Sequence, residues 1–448
     1  MHTIQELQMM QRMPLAAKIN RTRELIQQWV MTYGLENVYV SYSGGKDSSV
    51  LLDIARKLYP DIKAVFADTG LEYPEIKEMV KSKDNVEIVR PEMTFRQVID
   101  TYGYPIISKE VGECVEGARK YLTQIMENET LPSKQASKQA SKHRIITSTI
   151  NYVDQESMLK MSRGGKITNT EELEELANIL NQRMQNKEGG ANQRLAIMLG
   201  MLTKDSEVKA NIPSEDRSNF SLEKYKFLLF APFLISNKCC NVMKKKPLKS
   251  VKMHPITAQM ADESKLRTQK WLQHGCNMFD GQRPISNPMS FWTTQDVYLY
   301  IRLYNIDIPS VYGQVLMEDE LSGQMNIFTD LLGYGLDKLE EFDRPYFETT
   351  GVERTGCIFC GFGLHLEKGK NRFEHLYETH KKLAEYVLGG GEFKEDGMWK
   401  PNEKGLGMWF IIEYLNKYGG FKINIPDRDR FIKEFSTSET RKYLEEQT

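Results

Sequence analysis

At 448 residues, with 60 Lys plus Arg against 61 Asp plus Glu, the chain is long enough for two or three structural units and close to charge-neutral. That balance excludes a protein carried onto nucleic acid or an anionic surface by its overall charge. No apolar run approaches the roughly 20 residues of a bilayer span. The opening "MHTIQELQMMQRMPLAAKI" also lacks the basic start and compact apolar centre of a secretory signal. A cytoplasmic protein without membrane association is therefore expected, and its six cysteines do not read as a disulfide framework.

In chain order, residues 4–33 carry apolar side chains at helical spacing and precede Gly34, which predicts a leading helix or helix pair. Val38–Tyr42 reads as a buried strand and Ser48–Tyr59 as a helix stopped by Pro60. Ile62–Gly70 is a second strand, "LEYPEIKEMVKSK" a helix, and Val86–Pro91 a third strand. Strands alternating with helices predict an α/β fold, a doubly wound parallel sheet of Rossmann-like type with ligands along one edge. The expected organisation is a helical lead (1–35), a first α/β part (36–115) and a mostly helical insertion (116–228). A second α/β part (229–310) and a C-terminal segment with closing helices (311–448) follow. The insertion holds the repeated, basic "SKQASKQASKHR", which reads as a solvated segment or as a phosphate-backbone contact through Lys134, Lys138, Lys142 and Arg144. Toward the C-terminus "NRFEHLYETHKKLAEYVL" reads as one helix, "GGGEFKEDGMWKPNEKG" as a flexible surface loop, and "GLGMWFIIEYLNKYG" as another helix.

Chemistry concentrates first in "VYVSYSGGKDSSVLL". A strand ending in Ser-Gly-Gly and passing directly into a helix presents backbone N–H groups and the positive end of the helix dipole, which bind phosphate oxygens. Gly44 and Gly45 allow close backbone approach. Ser43, Ser48 and Ser49 carry further donors, Lys46 a compact positive charge, and Asp47 a carboxylate for Mg²⁺ or for positioning the loop. The spacing differs from the ordinary P-loop.

The second concentration is of thiols. Cys239 and Cys240 are adjacent in "SNKCCNVMKKKPLK", and Cys357 and Cys360 lie in "RTGCIFCGFG". Four thiolates suit an iron–sulfur cluster, with tetrahedral zinc as the competing use. Cys276 and Cys114 read as packed side chains.

"SGGKDS" resembles the pyrophosphate loop of the N-type ATP pyrophosphatases, and "FADTGLEYPEI" resembles the second-strand motif of their sulfonucleotide branch. That branch includes the phosphoadenylyl- and adenylyl-sulfate reductases. The resemblance implies an adenine nucleotide alpha hydrolase-like fold, phosphates held by Ser43–Ser49, and Asp68, Thr69 and Gly70 beside the adenosine. Cys-Cys followed by lysines and Pro-Leu, then Cys-x-x-Cys, is similar to the [4Fe–4S] adenylyl-sulfate reductases. This makes Cys239, Cys240, Cys357 and Cys360 the implied ligands and places Lys244 near the cluster, with Met243 where an arginine is usual. "ITAQMADESKLR" resembles the substrate-facing segment and nominates Glu263, Ser264 and Arg267; Arg354, just before the second cysteine pair, is a further anion contact, and Lys109 beside Gly-Tyr-Pro reads as facing the nucleotide or as solvated. A charged helix start accounts for the same acidic residues.

Two features depart from the reductases: the phosphate loop is intact, and no cysteine follows Cys360 to take up a sulfonate. The leading expectation is therefore an enzyme that binds Mg-ATP, adenylates an acceptor with pyrophosphate release, and serves sulfur transfer, with nucleic acid as one candidate acceptor. The alternatives are a sulfonucleotide reductase releasing sulfite, with its thiol from Cys276 or a thiol-reductant protein, and a non-catalytic nucleotide or redox sensor. Oligomeric state is not legible.

Overall fold

The structure, a computed structural model, describes residues 2–127, 194, 197–198, 221–281, 283–317 and 346–445. The strands run in chain order β1 (Val38–Ser41), β2 (Lys63–Ala67), β3 (Val86–Val89), β4 (Ile106–Ile107), β5 (His254–Ile256) and β6 (Asn277–Met278). They continue with β7 (Ile285–Ser286), β8 (Val315–Met317), β9 (Phe347–Thr349), β10 (Gly361–Phe362), β11 (Glu392–Phe393) and β12 (Trp399–Lys400). The chain divides into two compact units: Met1–Glu92 with Val242–Cys357, and Met93–Asn241 with Ile358–Thr448. Most of the 116–228 stretch, including the basic repeat and the expected helix after it, lies outside the described residues.

The first unit is built on a six-stranded sheet of order β3-β2-β1-β5-β7-β6, parallel except at β6. Its centre is continuous apolar chain, with Val38, Val40, Ala64 and Val65 all fully buried, because helices cover both faces of a parallel sheet. The edge strand β3 is less apolar in its setting and exposes Ile88, while Glu87 meets Lys63 of β2 at 2.8 Å. The leading residues form two helices, Ile4–Gln11 and Leu15–Tyr33, the second ending at Gly34 with φ 81°. The longer helix buries Leu15, Ile19, Leu25, Ile26 and Trp29 on one face. The helix after β1 opens with a polar turn at Lys46 and ends at Leu58 ahead of Pro60. Thr293 and Asp296 form the capping box of the Thr294–Tyr304 helix, beside a fully buried Trp292 and Val297. Strand order reverses at β1, with β2 on one side and β5 on the other, so the crevice beyond Ser41 is the natural ligand position.

In the second unit β4 is bracketed by a parallel bridge from Tyr104 to Ile235 and by the parallel strand β10. Gly103 permits the first contact, since a Cβ there would sit 2.2 Å from the Leu234 carbonyl carbon. The Arg119 guanidinium donates to the carbonyls of Leu228, Leu229, Ala231 and Phe233, ordering the turn that leads toward Cys239.

Two local expectations change. The stretch from Arg372 to Leu388 is two helices, Arg372–Thr379 and Lys381–Leu388. Thr379 Oγ1 donates to the His375 carbonyl while His380 Nδ1 bonds Thr379 Oγ1, a local side-chain alternative to continuing the helix. The glycine-rich "flexible loop" is the ordered hairpin β11–β12. Its Trp399 is 1% exposed and donates Nε1–H to Gly407 O at 3.0 Å. A Cβ on Gly391 would lie 2.3 Å from the Trp399 ring, so glycine here serves close packing rather than mobility. Among the described residues no helix is long and apolar enough to cross a membrane.

Candidate active site

Past β1 the chain turns through Ser43, Gly44 and Gly45 before the helix begins. Gly44 adopts φ 72°, and a Cβ there would come 2.7 Å from Ile76 Cγ2, so the tight turn requires glycine. The serines largely shape the loop itself: Ser48 Oγ and Ser49 Oγ donate to Gly45 O at 2.9 and 3.1 Å, and Ser43 Oγ lies 3.0 Å from Ser48 Oγ. Lys46 is only 3% exposed. Its ammonium lies 5.5 and 5.8 Å from the ring centres of Tyr298 and Tyr312 and 3.3 Å from Asp47 Oδ1. Asp47 Oδ1 is buried and makes no hydrogen bond.

The loop opens onto a cavity of about 360 Å³. One wall is Ser41–Ser43, Asp47 and Ser48, continued by Val65–Ala67, Glu72 and Ile76. The facing wall is Lys244, Leu248, Thr257–Gln259, Glu263 and Arg267, with Thr355 and Gly356 completing it. The fold thus brings Ser43, Asp47, Ser48, Lys244, Glu263 and Arg267 to one space from distant stretches of chain. Lys244 arrives on a π-helical turn, Asn241–Lys245, an irregularity that re-aims side chains. Ser264 caps the Lys265–His274 helix by accepting from Arg267 N at 3.3 Å. The Arg267 guanidinium pairs with Glu263. Burial, and then the neighbouring Arg354 charge, pull the Arg267 pKa below its ordinary value, while Asp47 opposes the fall. Arg354 and Arg267 therefore act on the same electrostatic neighbourhood as the phosphate loop.

The turn after β2 is committed to its own structure. Asp68 pairs with Lys77 at 2.8 Å and Arg90 at 3.2 Å. Burial alone would raise its pKa, but the Lys77 and Arg90 contacts and the Gly70 amide hold it below the usual carboxylate range. Thr69 Oγ1 donates to Glu72 Oε1 at 2.6 Å. Gly70 has φ 76°, with open space where a Cβ would be. It is Ala67 and Glu72, on either side of this turn, that border the cavity. Glu72, Tyr298, Tyr312 and Thr355 do not stand out in the sequence as site residues. Glu72 directly follows "ADTGL", a stretch that does stand out; the two tyrosines and the threonine carry no local signal.

The chain matches the phosphoadenosine phosphosulfate reductase domain over residues 37–121 and 186–361, more than half its length. It belongs to that family. Two proteins named adenosine 5′-phosphosulfate reductase, from Staphylococcus haemolyticus and Halalkalibacterium halodurans, are each 29% identical to it over 97 residues. That segment is 20% of this chain and 40% and 42% of theirs, so the chain spans about two-fifths of the length of these relatives. An uncharacterised protein of Methanocaldococcus jannaschii is 35% identical over 72 residues, 15% of this chain and 18% of that protein.

As a phosphoadenosine phosphosulfate reductase family member, the chain carries its remaining candidates outside the cavity walls. Cys239, Cys240 and Cys360 belong to the second unit, and Cys357 ends the first. Within the second unit the Cys239–Cys240 pair follows Ile235 on one side of β4, and Cys360 directly precedes β10 on the other. Cys239 is buried and the other three are half-buried. Among the described residues no group of three or more His, Cys, Asp or Glu side chains is assembled to hold a metal ion. For a divalent cation beside a bound nucleotide, the buried Asp47 Oδ1, which makes no hydrogen bond and lies 3.3 Å from the Lys46 ammonium, is a fitting donor on the cavity wall. Lys109 opens the Lys109–Glu127 helix of the second unit, its carbonyl accepting from Asn237 Nδ2 at 3.2 Å. Cys276 packs against Trp271, whose Nε1–H points at its sulfur at 3.4 Å, and burial raises its pKa.

Proposed function

We propose that the protein is an adenine-nucleotide enzyme that seats a phosphate tail on Ser43–Ser49 and cleaves ATP between the α- and β-phosphates, activating an acceptor for sulfur transfer. One observation carries this reading: an intact phosphate loop, with a buried lysine paired to a carboxylate oxygen that makes no hydrogen bond, opens onto a cavity at the reversal of strand order. An acceptor oxygen attacks the α-phosphorus, the α–β anhydride bond breaks, and the electron pair leaves with pyrophosphate. The loop amides and Lys46 stabilise the charge on that leaving group from fixed positions, so little reorganisation is needed. Asp47 holds the Mg²⁺ that accompanies ATP, which neutralises phosphate charge when bound. Arg267 and Lys244, on the facing wall, bind an anionic part of the nucleotide or acceptor, with the Arg354 charge reinforcing Arg267.

A second reading, sulfonucleotide reduction, is favoured by the names of the two partial relatives. Incubating the purified protein anaerobically with Mg-ATP and, separately, with adenosine 5′-phosphosulfate plus a thiol reductant separates the two. Pyrophosphate and AMP support the first; sulfite supports the second; neither product removes both. For Cys239, Cys240, Cys357 and Cys360 we propose [4Fe–4S] ligation, resting on their sequence pattern, with zinc the alternative. Iron, sulfide and zinc analysis of anoxically purified protein decides it.

A further inference from the structure

Tyr312 lies 266 positions from Lys46 in sequence, yet its hydroxyl touches the phosphate loop. The Lys46 backbone N–H points at Tyr312 Oη at 3.3 Å, and Tyr312 Oη lies 2.7 Å from Thr355 Oγ1. Both hydroxyls press on the loop: a Cβ on Gly45 would be 3.1 Å from Tyr312 Oη and 3.3 Å from Thr355 Oγ1. Tyr312 is 2% exposed, and burial pushes its pKa up to about 12, so it keeps its proton at neutral pH.

Donor and acceptor chemistry then fixes direction. An amide N–H can only donate, so Tyr312 Oη accepts from Lys46. Tyr312's own hydroxyl proton points to Thr355 Oγ1, since among the described residues no other acceptor for it is found. Thr355 must then aim its hydroxyl proton elsewhere. Among the described residues no protein acceptor for that proton is found, and Thr355 lines the cavity. We infer that Thr355 is a ligand-contacting residue whose hydroxyl donates to an anionic oxygen of the bound nucleotide, set in that direction by a one-way chain from the Lys46 amide through Tyr312. Tyr312 is the positioning residue of this chain. The inference rests on nucleotide binding in the cavity but not on which nucleotide is the substrate.

The test is calorimetric affinity for Mg-ATP and for adenosine 5′-phosphosulfate, measured on the full-length protein and on Thr355→Val, Thr355→Ser and Tyr312→Phe, with thermal melts alongside. Removing a hydrogen bond to a charged oxygen should weaken binding of the preferred nucleotide about tenfold or more in Thr355→Val. Thr355→Ser should retain wild-type affinity. Tyr312→Phe should cost less, and it should add nothing once Thr355 is already Val, because the two act in series. If wild type binds ATP and Thr355→Val binds it equally well, the inference falls and the ATP reading stands. Should wild type take only the sulfonucleotide and Thr355→Val lose it, the ATP reading falls and the inference stands. Binding of neither nucleotide removes both. If Thr355→Ser loses as much affinity as Thr355→Val, packing rather than the hydroxyl is responsible and the inference is overturned. Where Tyr312→Phe melts early, the comparison of the Val and Ser variants decides by itself.

Discussion

Lys18 and Lys46 are both almost wholly buried in the same unit, and their surroundings differ in one respect that separates structure from function. Lys18 is fully enclosed, donating to Asp296 Oδ2 at 2.5 Å and to the Gln11 carbonyl at 2.7 Å. Its partner in turn accepts from Thr293 N and Oγ1, each at 2.8 Å, so that charge closes on charge with no space beside it. Lys46 has a carboxylate at 3.3 Å, two aromatic faces and a loop that borders an open cavity. A buried ammonium with a complete set of protein partners ties a leading helix to a distant one. A buried ammonium beside a cavity is set to meet a ligand that brings its own negative charge.

The contrast can be broken most forcefully at Lys18. Lys18→Ala removes the ammonium facing the buried Asp296 carboxylate and should cost about 3–5 kcal/mol of stability, read from denaturant midpoints. Adding Asp296→Asn, which keeps the helix cap but removes the charge, should recover part of that loss. Lys46→Ala should do the opposite, lowering nucleotide turnover about 10²–10³-fold while the melting temperature moves little. Equal effects of the two lysine variants on stability would erase the distinction. Gly44→Ala sits between them: forcing a side chain at φ 72° against Ile76 should cost about 1–3 kcal/mol and weaken nucleotide binding together with stability.

The smallest effect is expected at Asp68, whose partners Lys77 and Arg90 are partly exposed. Its folded pKa is lowered, so its stabilising contribution is present above the unfolded carboxylate pKa and disappears as pH falls through the lower folded value. Asp68→Asn should therefore cost at most about 1 kcal/mol at neutral pH. Chemical denaturation across the acid range should show wild type and variant converging below about pH 4.

What is legible in the sequence is what local chemistry encodes. The phosphate loop, the alternation of strands and helices, the Thr293–Asp296 cap and the stop at Gly34 each depend on residues a few positions apart. Five of the candidates from the loop and the "ITAQMADESKLR" segment, Ser43, Asp47, Ser48, Glu263 and Arg267, line one cavity, and Lys244 joins them. Tyr312 is invisible there because its meaning comes from an amide 266 positions away, which no periodicity reports. The β11–β12 hairpin reads wrongly as a loose loop because glycine stands both for freedom and for close approach, and only the Trp399 ring shows which applies. The break at His380 comes from two side-chain hydrogen bonds in a sequence whose apolar spacing continues straight through.

The central strand β1 has one neighbour, β2, encoded within the first hundred residues, and another, β5, encoded more than two hundred positions later. During synthesis the glycine turn and its helix emerge early, while the opposite wall, Tyr312 and Thr355 are still unmade. Such a long-range closure is slow and leaves a half-built sheet edge waiting on the ribosome. Acquisition of ligand affinity by nascent or truncated chains would therefore mark the last stage of assembly rather than the first, and a nucleotide added during refolding would act late, on molecules already nearly complete.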